Sequence, residues 1–142
     1  MQLCSVTGPL RRPGEDSHLA DLVSSRAHYA DSILSSLSGS SILVPSHWAL
    51  EVTNALLMAE RRRRTTPADT SRAVALLGAL PIEIDHRTGE VAPVSTLSIA
   101  RSYALTVYDA AYLELCVREG LPLATIDTRL ASAIVSAGGK IA

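Results

Sequence analysis

Three acidic side chains stand out because each lies where an apolar segment gives way to a predicted helix. They are Glu51 in PSHWALEVTNAL, Asp109 in LTVYDAAYLEL and Asp127 in PLATIDTRLA. Carboxylate oxygens are the ligands that Mg²⁺ and Mn²⁺ prefer in proteins. Three like charges that meet at one edge of a sheet repel each other unless a cation or hydrogen-bond donors offset them. The three acids together therefore predict a metal site.

Each acid taken alone has a plainer explanation. Asp109 and Asp127 can be helix N-caps, each worth about 1 kcal/mol because its carboxylate accepts first-turn N–H bonds. Glu51 can be an ordinary acid in the first turn of a helix. On that account the chain is a plain α/β scaffold, so the metal hypothesis depends on whether the secondary structure brings the three acids together.

From residue 40 the chain alternates between short apolar runs and amphipathic stretches, which is typical of βα units around a parallel sheet. We predict strands at residues 42–44, 81–85 and 123–126, an apolar lead-in at 105–108, and an edge strand at 140–142. Helices are predicted from a Ser46 cap to the arginine run 61–64, from a Thr66 cap to residue 80, and at 90–103, 109–119 and 127–136. Because ligands of open α/β sheets bind where strands end and helices begin, the three acids should converge there.

Composition limits the class of protein. The chain has 142 residues, of which 47% are apolar, so it is expected to form a single domain spanning residues 1–142. Its net charge of −1 gives no general attraction to nucleic acid or membranes, so RNA binding would need a local patch such as Arg61 to Arg64. None of the four histidines has ligand spacing.

The cysteines and the apolar runs indicate the compartment in which the protein is expected, the cytoplasm. Cys4 and Cys116 form no C-x-x-C pair, which argues against a disulfide framework or a zinc site and fits a reducing compartment. No apolar run reaches the roughly 18 residues that a membrane span requires, and the N-terminus lacks the apolar core of a signal peptide. We therefore expect a soluble, cytoplasmic protein.

The segments VPSHWALEVTNAL, LTVYDAAYLEL and GLPLATIDTRLA resemble the PIN domain family, and within it the VapC-type toxins of type II toxin–antitoxin systems. The resemblance covers the chain from about residue 42 to the C-terminus. It implies a three-layer α/β/α sandwich with a central parallel sheet, whose acids bind Mg²⁺ or Mn²⁺ and cleave RNA. Glu51, Asp109 and Asp127 then occupy the family's second, third and fourth acidic positions, and Asn54 and Thr125 its supporting polar positions. The resemblance also implies a homodimer and a cognate antitoxin that inserts a segment against the acidic cleft.

Residues 1–15 depart from the family pattern. The family's first acid ends the first strand, and the register of Leu3 to Val6 places Leu3 where that aspartate normally stands. Asp16 and Asp21 are alternatives, although neither follows a convincing strand. Two hypotheses therefore stay open: a metal-dependent endoribonuclease, or a catalytically defective PIN domain that serves as a protein-binding module.

Overall fold

The computed structural model describes residues 41–142 and, before them, the backbone of residues 3–5. Four strands of these residues form one sheet in the order β3-β2-β1-β4. Their bounds are β1 Leu3–Ser5, β2 Ile42–Pro45, β3 Ile82–Asp85 and β4 Leu123–Ala124. The predicted strands at 42–44, 81–85 and 123–126 are thus present, the last one shortened. Of the predicted edge strand at 140–142, only a single parallel bridge from Ile141 to Leu123 forms.

The sheet is mixed, so the predicted parallel sheet is present only in part. β2 and β3 are parallel, with Ile42 opposite Ile82 and Pro45 opposite Asp85. β1 runs antiparallel to both β2 and β4. Alternation of apolar residues is the same in parallel and antiparallel strands, so the sequence of β1 carried no information about its direction.

The helices follow the predicted order. Their bounds are α1 Trp48–Arg61, α2 Pro67–Gly78, α3 Thr88–Val91, a π-helical segment Ala92–Thr96, α4 Leu97–Tyr103, α5 Val107–Glu119 and α6 Thr128–Ser136. The cap of α1 differs from the prediction: His47 is its N-cap, and the Ser46 N–H instead donates to Thr88 Oγ1 at 3.1 Å. Ser46 therefore joins β2 to the start of α3.

The predicted apolar lead-in to α5 is also different. Ala104 ends α4 in the left-handed conformation with φ 50°, and Thr106 is already the N-cap of α5. Only residues 104–106 separate the two helices, which leaves no room for a strand. Asp109 therefore follows a turn between helices, and the prediction of a strand-to-helix junction at this acid is wrong.

Helix α5 forms the centre of the described fold. Its residues from Ala110 to Cys116 are all buried, and it contacts β1, β2, β4, α4 and α6. A helix that is buried on every side belongs to the core rather than to the surface. Around it pack the fully buried side chains of Ile42, Val44, Leu123, Leu130 and Ile134. The result is a mixed α/β fold in which helices predominate.

Cys116 is disulfide-bonded in the structure. Distance along the chain thus did not keep Cys116 from forming a disulfide, because separation in sequence does not limit how closely two segments approach. The cysteines consequently do not support a reducing compartment. None of the helices in the described residues is both long and apolar enough to cross a membrane.

Candidate acidic site

Asp109 lies in the first turn of α5 and takes part in that helix's cap. Its backbone N–H donates to Thr106 Oγ1 at 3.1 Å, while the Thr106 hydroxyl donates to Asp109 Oδ2 at 2.6 Å. Thr106 is thus the N-cap, and Asp109 stands three residues later rather than at the cap itself. This short local bond fixes the carboxylate at the helix N-terminus, where the helix dipole favours negative charge.

Asp127 is the N-cap of α6, as predicted. Its Oδ1 accepts the N–H groups of Arg129 at 2.8 Å and of Leu130 at 3.0 Å. Its own N–H donates to Thr125 Oγ1 at 3.0 Å, so the predicted supporting threonine holds the backbone of this acid. Within the described residues, the second carboxylate oxygen, Oδ2, accepts no hydrogen bond. Capping therefore occupies one oxygen of Asp127 and leaves the other for a ligand.

Asp109 and Asp127 line the same cavity, whose volume is about 200 Å³. The remaining lining residues are Ala104, Leu105, Thr106 and Arg129. The cavity is thus bounded by the turn between α4 and α5 and by the first turn of α6. Two acids that are separated by 18 positions in the chain meet here because both of their helices begin at this place.

Glu51 lies elsewhere, on a larger cavity of about 410 Å³ with mostly apolar walls. The walls comprise Trp48, Val52, Ala55, Leu56, Leu77 and Tyr112. Glu51 Oε2 accepts the Tyr112 hydroxyl at 2.6 Å, and His47 Nε2 lies 3.6 Å from the same oxygen. The structure therefore holds Glu51 at the polar end of an apolar cavity and not among the other two acids.

Tyr112 lines the cavity of Glu51 and lies on the same helix as Asp109. It follows Asp109 by three positions on α5, which places the two side chains on neighbouring turns of one helix face. The tyrosine is 1% exposed, and burial raises the pKa of its hydroxyl above the usual value near 10. Its hydrogen bond to Glu51 and the negative charges of Glu51 and Asp109 raise that pKa further. The phenol consequently stays protonated and remains a donor to Glu51 at any physiological pH.

The sequence did not reveal this role of Tyr112, nor the aromatic setting of His47. The His47 ring packs edge-on against Tyr108 and Tyr112, with ring centres 5.4 and 5.5 Å apart. Two spacings in the sequence could have indicated these contacts: i, i+4 for His47 and Glu51, and i, i+3 for Asp109 and Tyr112. Asn54, the other predicted supporting residue, is exposed and does not line either of these cavities.

The acids converge incompletely. Within residues 41–142, no three His, Cys, Asp or Glu side chains form a group arranged to hold a metal ion. Asp109 and Asp127 share one cavity, whereas Glu51 lies on the other, where it accepts the Tyr112 hydroxyl. The donor set of carboxylate oxygens nonetheless has the chemistry that Mg²⁺ and Mn²⁺ require.

Leu3, which stands where the family's first acid is expected, is the first residue of β1. It pairs with Ala124, so β1 begins, rather than ends, at the edge of the sheet where β4 leads to Thr125 and Asp127. The prediction that Leu3 ends its strand is therefore wrong in direction, although Leu3 does lie at the expected edge. Asp16 and Asp21 lie outside the described residues.

Comparison with known proteins does not identify the chain. No model of a known protein family matches it, and neither the curated proteins nor the solved structures contain a significant match. The resemblance to the PIN family therefore stays a prediction made from the sequence motifs.

Proposed function

We propose that this chain is a metal-dependent endoribonuclease of the PIN kind, the toxin of a VapC-type toxin–antitoxin pair. One observation carries the proposal: Asp109 and Asp127, which the sequence motifs pair, line one cavity at the start of two helices. The three-layer arrangement around a parallel sheet belongs to the same proposal.

Mg²⁺ or Mn²⁺ would be held by Asp109 and Asp127, with Glu51 as a direct or water-mediated third ligand. When bound, such a cation neutralises the phosphate and lowers the pKa of a water molecule. Other residues of the chain hold the three carboxylates in position. Thr106 and the first-turn N–H groups of α6 fix the two aspartates, and Tyr112 fixes Glu51. Hydrolysis then breaks the bond from phosphorus to the 3′ oxygen, leaving a 5′ phosphate and a 3′ hydroxyl.

The proposal includes partners. Apolar side chains stay exposed on α1 and α2, among them Leu50, Leu57, Val74 and Leu76. Exposed apolar surface of this kind supports a homodimer or an antitoxin contact. The proposal places the protein in the cytoplasm with its RNA substrate. Because Cys116 is disulfide-bonded, activity should be measured with and without a thiol reductant.

The experiment measures Mn²⁺ binding and RNA cleavage in Asp109→Asn and Asp127→Asn. At position 127 asparagine caps a helix as well as aspartate does, and at position 109 its amide oxygen can still accept the Thr106 hydroxyl, so both variants remove charge while keeping the local hydrogen bonds. Wild type should gain stability from Mn²⁺ by mass action, about 2.7 kcal/mol at a concentration 100-fold above Kd. Both variants should lose that gain and the cleavage of single-stranded RNA.

Asp69 provides a matched control. It caps α2 with Thr66 through the same pair of hydrogen bonds that Asp109 makes with Thr106, but it lines neither of the two cavities. Asp69→Asn should leave the Mn²⁺ response and the cleavage unchanged. An equal Mn²⁺ response in wild type and both site variants would refute the metal site.

The alternative function is a catalytically defective PIN domain that binds proteins. Leu3 favours it, because an apolar residue begins β1 at the edge where the family carries an acid. Mn²⁺ stabilisation without cleavage of any tested RNA would support this alternative over the ribonuclease.

A further inference from the structure

Arg129 places a positive charge in the cavity of Asp109 and Asp127. Its guanidinium makes no ion pair with a carboxylate of the described residues. Instead, Nη2 donates to the carbonyl oxygen of Ala104 at 2.5 Å. Two carboxylates line the same cavity, yet the flexible arginine beside them is held by a neutral backbone carbonyl and not by either acid.

The carbonyl that holds Arg129 belongs to a strained residue. Ala104 has φ 50°, a left-handed conformation that a residue with a side chain rarely adopts. Such conformations persist where the surroundings impose them, and they occur often at functional sites. Here the conformation ends α4, and the Ala104 carbonyl tethers the arginine that follows the cap of α6. The bond therefore fixes the guanidinium relative to both acids.

A guanidinium carries five N–H donors in a planar fork that matches the oxygens of a phosphate. The hydrogen bond to Ala104 uses one of these donors. The others remain for a ligand at the cavity, whose two aspartates would hold the cation that an anionic substrate requires. An anion bound here would lie between that cation and the arginine, which is a favourable site for a phosphodiester.

We propose that Arg129 is a phosphate-binding residue, which donates hydrogen bonds to a phosphodiester oxygen of RNA at the cavity of Asp109 and Asp127. This inference rests on the proposed ribonuclease function and adds a substrate contact to it. The competing explanation is purely structural: Arg129 would only join α6 to the turn after α4 and offset the charge of the acids.

The test measures binding of a short, fluorescently labelled single-stranded RNA to the full chain across NaCl concentrations, with Ca²⁺ replacing Mg²⁺ to hold back cleavage. Arg129→Gln should weaken affinity about tenfold, the effect of losing one hydrogen bond to a charged group. It should also make the slope of log K against log salt shallower by about 0.7, the value for one phosphate contact on a single strand. A structural role would change the melting temperature without changing this slope.

Two further variants make the test specific. Arg129→Lys keeps the charge without the fork, so the slope should stay as in wild type while affinity falls; it also provides the test if Arg129→Gln does not fold. Arg72→Gln removes an exposed arginine that pairs with Asp69 and should change neither quantity. An unchanged slope and affinity in folded Arg129→Gln, with wild type binding and cutting RNA, would overturn this inference alone. If wild type shows neither Mn²⁺ stabilisation nor RNA binding, the proposed function fails, and the role of Arg129 fails with it.

Discussion

Two acidic regions of this molecule use their carboxylates differently. Around Arg118, the carboxylates of Asp85 and Glu114 are 8% and 7% exposed, and both bind the guanidinium, at 2.8 and 3.0 Å. Glu119 also pairs with Arg118, and Thr88 donates to Asp85 at 2.9 Å. Burial alone would lower the pKa of Arg118, but the bonds to Glu114 and Asp85 outweigh this effect and raise the pKa.

At the candidate site the carboxylates of Asp127 and Glu51 are instead more accessible, and within residues 41–142 neither of them pairs with a guanidinium. Asp127 is exposed, the Glu51 side chain is 41% exposed, and capping uses only one oxygen of Asp127. Burying a charge is tolerated when it is paired, so the ion pairs with Arg118 explain why Asp85 and Glu114 can be buried. Asp127 is not explained in this way, because one of its two carboxylate oxygens accepts no hydrogen bond from residues 41–142. The difference between the two regions teaches that an acidic residue marks a candidate ligand site only where part of its carboxylate is left for a ligand.

The largest effect should come from breaking the Arg118 cluster. Arg118→Met leaves Asp85 and Glu114 buried without their cation, which should cost about 3–5 kcal/mol of stability. Urea unfolding monitored by circular dichroism measures this loss. At a temperature where the variant is folded, its Mn²⁺ response should equal that of wild type, because the cluster has no part in metal binding.

Arg72→Met serves as the control, since its ion pair with Asp69 is 3.6 Å long and exposed. Such surface pairs contribute about 0–1 kcal/mol. A loss at Arg118 no greater than the loss at Arg72 would contradict the distinction between the two regions.

Tyr112 gives a pH-dependent test of intermediate size. Its folded-state pKa is raised, so its contribution to stability is complete below the unfolded value near 10 and is lost as the pH rises above it. In metal-free buffer, the free energy of unfolding should therefore fall above pH 10 with an added slope of about 1.4 kcal/mol per pH unit. Tyr112→Phe should lack this added slope in urea titrations at alkaline pH.

Tyr108→Phe is the matched control, because Tyr108 is 62% exposed and lies on the same helix. It should keep the wild-type slope. Equal slopes in wild type and Tyr112→Phe would show that Tyr112 does not hold Glu51 as the structure indicates.

The smallest expected effect concerns the first acid. Leu3→Asp adds a carboxylate at the edge where β1 begins beside Ala124, and it should raise the rate of RNA cleavage about tenfold, equivalent to about 1.4 kcal/mol of barrier. Leu3→Asn, which adds polarity without charge, should gain much less. If Leu3→Asp is no faster than wild type and Asp16→Asn or Asp21→Asn abolishes cleavage, one of those aspartates is the first acid.

The sequence by itself determined several of the helix ends. The caps at Thr66 and Asp127 formed as predicted, and the predicted end of α5 at residue 119 is followed by Gly120 in the left-handed conformation. These features depend on hydrogen bonds between groups two to four positions apart, which local residue types are sufficient to specify.

Only the tertiary structure decided which acids meet. The bond from Tyr112 to Glu51 joins residues 61 positions apart, and the bond from Arg118 to Asp85 joins residues 33 positions apart. Contacts between distant parts of the chain also decide the direction of β1 and the separation of Glu51 from the cavity of Asp109 and Asp127. Residue spacing cannot specify such contacts, because they depend on how the helices pack around α5 and on how the strands pair in the sheet.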